Sequence, residues 1–211
     1  IKTETGIDVG LKSLITMSNG CQIEPPEFLR VSEDKLTHEQ KRLNRKKKRS
    51  QNRNNQRIIV AKVHRRIRNQ RKDFAHKTSR KLVNEYDRIV FEDLQIQNMV
   101  KNHHLAKSIS DAGWSQLINF TKTKAEYAGK IVELVNPRNT SQDCSGCGNS
   151  VKKDLSVRVH SCPFCGLVLD RDHNAAINIL GKSNSTVGIT GIYARQGLSS
   201  REPMQRDASS L

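Results

Sequence analysis

The chain has 211 residues, enough for one or two domains, and its 37 lysines and arginines against 21 acids give a formal net charge of +16. That excess indicates a polyanionic partner, first of all nucleic acid, although a solvated basic surface would show the same balance. No stretch approaches the roughly 18 apolar residues of a membrane span, and no signal peptide is visible, so the sequence predicts no membrane partner.

The start of the chain predicts three short strands. Apolar residues alternate with polar or small ones over residues 7–11, the period of a strand, and residues 14–17 suggest a second strand. Residues 18–20 read Ser-Asn-Gly, which favours a hairpin turn, and a third strand begins at residues 21–23. Asp8 lies within the first strand, where a carboxylate is costly if it is buried and unpaired; a solvent-exposed face is the alternative.

A long stretch from about Glu33 to Glu85 has neither glycine nor proline and is rich in good helix formers. Apolar residues recur in it at three-, four- and seven-residue steps, as at Val60, Val63 and Ile67. We predict two long helices with a break near Ser50–Asn55, because Gln-Asn-Arg-Asn-Asn favours a turn or a bend.

The same stretch contains the densest positive charge of the chain. A solvated helical face is the usual meaning of such a run, but like charges at this density repel unless a polyanion neutralises them. We therefore predict contacts with nucleic-acid backbone, by phosphate contact rather than base stacking because few aromatic residues accompany the charges. The residues assigned to these contacts, the first five of them expected on a helix, are Arg45, Lys46, Lys47, Lys48, Arg49, Arg53 and Arg57.

Further along, a short apolar run at residues 89–91 is typical of a strand buried on both faces, and it ends in Glu92. In open α/β sheets chemistry collects at the carboxyl ends of such strands. A polar loop follows at 95–104, and residues 105–128 then have a helical pattern that places Trp114 in the core. Residues 131–135 predict one more strand.

Four cysteines form two Cys-x-x-Cys pairs, Cys144 with Cys147 and Cys162 with Cys165, separated by 14 residues. Two such turns complete a tetrahedral set for zinc, which the spacing favours over disulfides or free thiols. A four-cysteine site leaves no open coordination position, so we expect the zinc to be structural. The fifth cysteine, Cys21, is interpreted as a structural or incidental thiol, and this usage suits a reducing compartment.

Three acids are candidates for a second metal site: Asp8, Glu92, and either Asp170 or Asp172 at the start of a short helix over residues 174–180. If the first and fourth strands are neighbours, Asp8 and Glu92 can face one point. The alternative for the aspartates is N-capping. Clustered carboxylates are the ligands of a two-metal phosphodiester hydrolase and select Mg²⁺ or Mn²⁺.

Several motifs occur in order at suitable distances and together resemble the TnpB family. They are Gly-Ile-Asp-Val-Gly-Leu, Ile-Val-Phe-Glu-Asp-Leu, Asp-Ala-Gly-Trp at 111–114, Asn-Pro-Arg-Asn-Thr-Ser-Gln-Asp-Cys-Ser-Gly-Cys-Gly, and Cys-x-x-Cys-Gly followed by Asp-Arg-Asp-His-Asn-Ala-Ala-Ile-Asn-Ile-Leu. The family comprises the OrfB-type proteins of insertion sequences, related to type V CRISPR effectors. The resemblance spans roughly residues 6–180.

The resemblance implies an α/β fold: an RNase H-like (RuvC) mixed sheet with flanking helices and a zinc ribbon inserted before the last acid. It implies that Asp8, Glu92 and Asp172 are the metal-binding catalytic acids. Asp172 is chosen over Asp170 because relatives retain the acid directly before x-Asn-Ala-Ala. It also implies DNA cleavage that is RNA-guided in the complete protein, with DNA and, in the complete protein, a guide RNA as partners, in a prokaryotic cytoplasm and at the nucleoid when DNA is bound.

On this basis we divide the chain into four parts. Residues 1–140 form the nuclease core with a helical insertion at about 33–85, residues 141–168 the zinc ribbon, residues 169–181 the last RuvC segment, and residues 182–211 a disordered tail rich in Ser, Gly and Arg. Relatives carry a large N-terminal half that precedes the first acid. We therefore expect this sequence to be a piece of a longer, degraded or split protein.

The first functional hypothesis is a metal-dependent DNA endonuclease domain. The alternative is a nuclease-inactive RNA- or DNA-binding protein derived from the family, which would have no chemical need for three intact acids. A strand-transfer transposase uses the same metal chemistry. The sequence offers neither the tyrosine nor the accessory domain that would indicate a strand-transfer transposase in particular.

Overall fold

One five-stranded mixed sheet and a separate two-stranded ribbon hold the strands of the computed structural model, which describes residues 1–154 and 156–190. The elements in chain order are β1 Glu4–Val9, β2 Ile15–Met17, β3 Gln22–Ile23, α1 Phe28–Asn44, α2 Gln51–Glu85, β4 Arg88–Glu92, α3 Ile96–Met99, α4 His103–Ala112, α5 Trp114–Tyr127, β5 Ile131–Val135, β6 Val159–Ser161, β7 Val168–Asp170 and α6 Arg171–Thr190.

The five-stranded sheet has the order β3-β2-β1-β4-β5. β1, β2 and β3 form the predicted antiparallel meander, while β4 and β5 run parallel to β1. Parallel neighbours need crossover connections, which the helices α1 and α2 supply between β3 and β4, and α3 to α5 supply between β4 and β5.

Alternation of side chains gives the sheet two different faces. Ile7 and Phe91 belong to the larger core, which also contains Leu82 of α2 and Leu117 of α5. Val90, on the opposite face of β4, packs with residues of β5 and α6. The sheet is therefore covered on both sides, by the long helices on one and by α6 on the other.

Helix α6 lies directly against the backbone of β1. A Cβ atom at Gly6 would stand 2.2 Å from the carbonyl oxygen of Ala176 and 2.7 Å from the amide nitrogen of Leu180. Only a glycine permits this approach, which fixes α6 at one height along β1.

The break between the two long helices falls earlier than predicted. It spans residues 45–50, and the Gln-Asn-Arg-Asn-Asn segment assigned to a turn is the first turn of α2. The expectation that Arg45–Arg49 is helical is wrong: these residues connect α1 to α2, and Arg49 has a φ of 65°. Ser50 begins α2 because its Oγ accepts the amide N–H of Arg53 at 3.2 Å.

Three further expectations need adjustment. The single helix over 105–128 is divided by Gly113, whose φ of 65° ends α4 and starts α5. The loop at 95–104 contains the short helix α3. The last helix is longer than predicted, since α6 continues past residue 181 to Thr190; the rest of the predicted tail, 191–211, lies outside the described residues.

Other predictions are confirmed. Trp114 is 3% exposed and belongs to the larger core. The strands at 89–91 and 131–135 are β4 and β5. Over the part of the chain that the structure describes, no helix combines the length and the apolar character needed to cross a bilayer.

Candidate active site and zinc centre

Asp8 and Glu92 lie side by side at the carboxyl ends of two neighbouring strands. The parallel register pairs Ile7 with Phe91, so the next residue on each strand is an acid. Neighbouring strands are about 4.8 Å apart. Both acids follow core residues of the larger face by one position, so alternation turns them toward the face that α6 covers.

Asp172 reaches the same place from the first turn of α6. Asp8 comes two residues after Gly6, about 6.6 Å along the strand. Asp172 comes four residues before Ala176, about 6 Å along the helix. Because Gly6 contacts the helix at Ala176, the antiparallel course of α6 brings Asp172 level with Asp8. The predicted meeting of three acids from distant parts of the sequence is thus built by one strand pair and one helix.

The electrostatics of the site agree with this geometry. Burial raises the pKa of Asp8 well above its ordinary value of 3.8, and the negative charges of Glu92 and Asp172 raise it further, against an opposing effect of Arg171. Burial also raises the pKa of Glu92, which a hydrogen bond from Thr140 partly offsets. Carboxylates held in this way repel one another, and a bound cation would relieve that repulsion.

The two aspartates at the start of α6 have different contacts. Asp170 Oδ1 accepts the amide N–H groups of Asp172 at 2.9 Å and of His173 at 3.3 Å, so Asp170 acts as an N-cap. Asp172 is 8% exposed, and its Oδ1 accepts hydrogen bonds from Nε and Nη2 of Arg171, at 3.2 and 3.1 Å. The capping alternative therefore describes Asp170. The charge of Asp172 raises the pKa of Asp8 more than the charge of Asp170 does, which favours Asp172 as the third acid.

Oxygen donors such as these three carboxylates suit Mg²⁺ or Mn²⁺. In the described residues, the four cysteines are the one group of three or more histidine, cysteine or acidic side chains whose ligand atoms all lie within 4.8 Å of one another. The three acids are spread more widely. Carboxylates that bind two ions about 4 Å apart are expected to lie farther from one another than the ligands of a single ion.

The four cysteine sulfurs form a compact cluster at the base of the β6–β7 ribbon. Cys144 Sγ lies 3.6 Å from Cys165 Sγ, and Cys147 Sγ lies 3.6 Å from Cys162 Sγ. Disulfide sulfurs are about 2.05 Å apart, whereas tetrahedral zinc with bonds of about 2.3 Å puts its sulfurs about 3.8 Å apart. The donor set fits a structural zinc ion held by the predicted four residues.

Two family models match the chain. A model described as "Probable transposase", of the OrfB type, matches residues 1–103, and the "Cas12f1-like, TNB domain" model matches residues 114–179.

The chain belongs to the TnpB (OrfB) family.

Curated relatives match over most of this chain. Two proteins named "putative RNA-guided DNA endonuclease" are similar to it: one from Streptomyces pristinaespiralis, 42% identical over 177 residues, and one (InsQ) from Escherichia coli K12, 32% identical over 198 residues. The matches cover 83% and 86% of this chain but 44% and 49% of those proteins. The chain thus spans about half the length of these TnpB relatives.

A solved structure supports the fold. The chain is similar to a protein in the cryo-EM structure of the Cas12f1–sgRNA–target DNA complex, with a TM-score of 0.59 and 19% identity, covering 83% of this chain and 48% of that one. The mixed sheet with flanking helices and a four-cysteine cluster is the predicted RNase H-like (RuvC) architecture with its zinc ribbon.

The basic residues predicted to contact nucleic acid lie at the tip of the α1–α2 hairpin. Most of them are exposed: Arg45, Lys47, Lys48, Arg49 and Arg57, with Lys46 half-buried. The guanidinium of Arg53 is engaged inside the protein, donating to the carbonyl oxygens of Leu43 at 2.8 Å and Lys46 at 3.2 Å. Arg53 therefore caps the end of α1, a role that its position in a charged run did not reveal.

Sequence reasoning missed the residues that support the acids. Thr140 Oγ1 lies 2.5 Å from Glu92 Oε1, and Asn174 and Asn178 of α6 bind the segment that follows Thr140. All three fall inside the TnpB motifs quoted above. That placement was a signal of importance, but it carried no information on what their side chains touch.

Proposed function

We propose that this chain is the nuclease half of a TnpB-type, RNA-guided DNA endonuclease, a metal-dependent enzyme that hydrolyses phosphodiesters. The observation that carries the proposal is the convergence of Asp8, Glu92 and Asp172 on one side of the sheet, with the pKa of Asp8 raised by burial and by the other two carboxylates. No packing role requires three acids at such a place, because burying them together costs free energy.

In this role Asp8, Glu92 and Asp172 would hold two Mg²⁺ or Mn²⁺ ions, which would supply an activated water and stabilise the leaving oxygen. The protein's own groups prepare the site. Thr140 orients one oxygen of Glu92, and Arg171 holds one oxygen of Asp172. Burial keeps the carboxylates in fixed positions, so that little reorganisation is needed when the phosphate arrives.

The proposed partners are DNA and, in the complete protein, a guide RNA. The net charge of +16 and the exposed basic tip of the α1–α2 hairpin support them. The zinc ion has no catalytic part in this proposal, since four cysteines leave it no open coordination position.

The proposal is tested by incubating the zinc-loaded chain with labelled single-stranded DNA and Mg²⁺, alone and together with guide RNA and the remaining half of a full-length relative. Asp8→Ala is the control. We expect cleavage by the parent and a rate more than about a hundredfold lower for the variant. Equal cleavage by both proteins, or none under any condition, contradicts the proposal; DNA binding without cleavage would support the inactive, nucleic-acid-binding alternative.

The choice of the third acid has its own test. Asp172→Asn removes a charge from the proposed metal site, whereas Asp170→Asn keeps an oxygen that caps α6. We expect cleavage to be lost with the first substitution and to stay within about tenfold of the parent with the second. The reverse order would assign the metal to Asp170.

A further inference from the structure

Thr140 links the end of β4 to the segment that leads into the zinc ribbon. Its side chain is 4% exposed, and Oγ1 lies 2.5 Å from Glu92 Oε1 and 3.0 Å from the carbonyl oxygen of Pro137. A hydroxyl has one proton, and a carboxylate is the stronger acceptor. Thr140 therefore donates to Glu92 and fixes one of its two oxygens.

Two asparagines of α6 fasten the same segment to the helix. Asn178 Nδ2 donates to the carbonyl oxygens of Thr140 at 2.8 Å and Asp143 at 2.7 Å. Asn174 Nδ2 donates to Asp143 O at 2.8 Å, and its Oδ1 accepts the amide N–H of Ser145 at 2.9 Å. Being four residues apart, the two side chains share one face of the helix.

The chemistry of these contacts requires amides. Asn174 uses its donor and its acceptor at once. Asn178 uses its two N–H groups on the backbone carbonyls of Thr140 and Asp143. A carboxylate or an apolar side chain at 178 would remove the amide donor to the carbonyl oxygen of Thr140. At 174 it would remove one of the two amide donors to the carbonyl oxygen of Asp143. Asn174 is fully buried, at 0% exposure, so water cannot take its place.

The contacts connect the candidate acids to one another through the protein. Asp172 lies two residues before Asn174 on α6, and Glu92 receives its hydrogen bond from the segment that the asparagines hold. Ser145, bound by Asn174, lies between the first two zinc ligands. The first zinc knuckle, the end of β4 and the start of α6 thus share one set of hydrogen bonds.

We propose that Thr140, Asn174 and Asn178 are positioning residues that set Glu92 relative to Asp172. This inference rests on the proposed nuclease function. It predicts that the hydroxyl and the two amides matter for how the acids bind divalent metal, beyond what they contribute to the stability of the fold. Partners of metal ligands in other proteins typically change metal affinity by about 10- to 100-fold when they are removed.

The test measures Mn²⁺ binding to the zinc-loaded chain in the absence of DNA, by electron paramagnetic resonance, and the Mg²⁺ dependence of cleavage. Thr140→Val has the shape of threonine without the hydroxyl, and Thr140→Ser restores the hydroxyl. We expect Thr140→Val to weaken Mn²⁺ binding about tenfold or more, and Thr140→Ser to remain within about threefold of the parent. Parent-like Mn²⁺ binding and Mg²⁺ dependence in Thr140→Val would overturn the inference.

The asparagines are tested in the same assays, because a valine at 140 reports on one contact alone. Asn178→Ala and Asn174→Ala are compared with Asn119→Ala, an exposed asparagine of α5. We expect Asn178→Ala and Asn174→Ala to bind Mn²⁺ more weakly than the parent, measured below the temperature at which each variant starts to unfold. Asn119→Ala should bind Mn²⁺ as the parent does. Equal Mn²⁺ affinity in all three folded variants would contradict a positioning role.

Failure of this inference can be told apart from failure of the proposed function. If Asp8→Ala abolishes Mn²⁺ binding while Thr140→Val leaves it unchanged, the acids bind metal and only the positioning role is wrong. If the parent binds no Mn²⁺ and does not cleave, both are wrong.

Discussion

Asp8 carries the largest electrostatic cost among the candidate acids. Its pKa is raised by burial first and by Glu92 and Asp172 next, so the folded chain holds its proton more tightly than the unfolded chain. A folded pKa above the unfolded value makes an acid destabilising as the pH rises. The candidate site is thus a place where stability is given up, as is common where function requires clustered charge.

The raised pKa of Asp8 predicts the effect of Asp8→Asn on the zinc-loaded chain without added magnesium. At neutral pH we expect a melting temperature a few degrees above that of the parent, since the amide removes the buried charge. The difference should shrink as the pH falls toward the ordinary value of 3.8, because below that value Asp8 holds its proton in both the folded and the unfolded parent. Adding Mg²⁺ should raise the melting temperature of the parent and not that of Asp8→Asn.

Thermal melts between pH 4 and pH 8, with and without Mg²⁺, check this prediction. Asp93→Asn is a suitable control because Asp93 is exposed and follows Glu92 directly. A variant less stable than the parent at neutral pH would mean that Asp8 has a stabilising partner.

At the scale of single elements, α6 and the α1–α2 hairpin have opposite characters. α6 is held closely against β1 by the absence of a side chain at Gly6. The hairpin carries its charged connection at residues 45–50 away from the sheet, and α1 has no buried residue. One element places the acids, and the other presents charge to solvent.

Gly6→Ala should separate α6 from the sheet. The added methyl would meet backbone atoms of Ala176 and Leu180, which cannot rotate away. We expect a loss of about 3 kcal/mol or more in the free energy of unfolding and loss of Mn²⁺ binding. Gly181→Ala is the matched control: among the described residues beyond its own stretch of helix, no heavy atom lies within 4 Å of the added methyl, and alanine favours the helix. Equal stability of the two variants would refute the close packing of α6 on β1.

The basic tip is tested by the salt dependence of DNA binding. Replacing Lys47 and Lys48 by alanine should lower the slope of log affinity against log salt by about 1 to 2, as expected when one or two phosphate contacts are lost. Arg53→Ala should behave differently. Its guanidinium caps the carbonyls of Leu43 and Lys46, so we expect a lower melting temperature and an unchanged salt slope.

At the scale of the whole molecule, the sequence predicts the order of elements better than their ends or their contacts. The alternation around Ile7 and the acid after Phe91 were sufficient to place Asp8 in one strand and Glu92 at the end of another, because both signals are local. That these strands are neighbours was only a condition in the sequence reasoning, and the parallel pairing of β1 with β4 meets it. The helix break was misplaced because Asn and Gln favour turns, while the structure starts α2 with Ser50 as its cap. The contacts of Asn174 and Asn178 depend on segments about 30 residues away, which no local pattern reports.

The zinc ribbon allows a test of how the parts of the molecule depend on one another. Among the described residues, the larger core contains none from the ribbon, so removing zinc should leave the sheet folded while the two knuckles lose their link. Zinc binding supplies about 10–16 kcal/mol in isolated zinc peptides, which the two short strands β6 and β7 cannot replace. Hydrogen exchange should therefore lose protection in residues 159–170 and keep it in β1 and β4.

The same experiment has a chemical readout. In the zinc-loaded chain only Cys21 should react rapidly with a thiol reagent, and after chelation all five cysteines should react. Cys21→Ser should lower the number of reactive cysteines by one, both with zinc and after chelation, without altering the ribbon. Because Asn174 holds Ser145 beside the first knuckle, we expect chelation also to weaken Mn²⁺ binding by the three acids, although zinc touches none of them. Full Mn²⁺ affinity in the zinc-free chain would show that the ribbon and the nuclease site are independent.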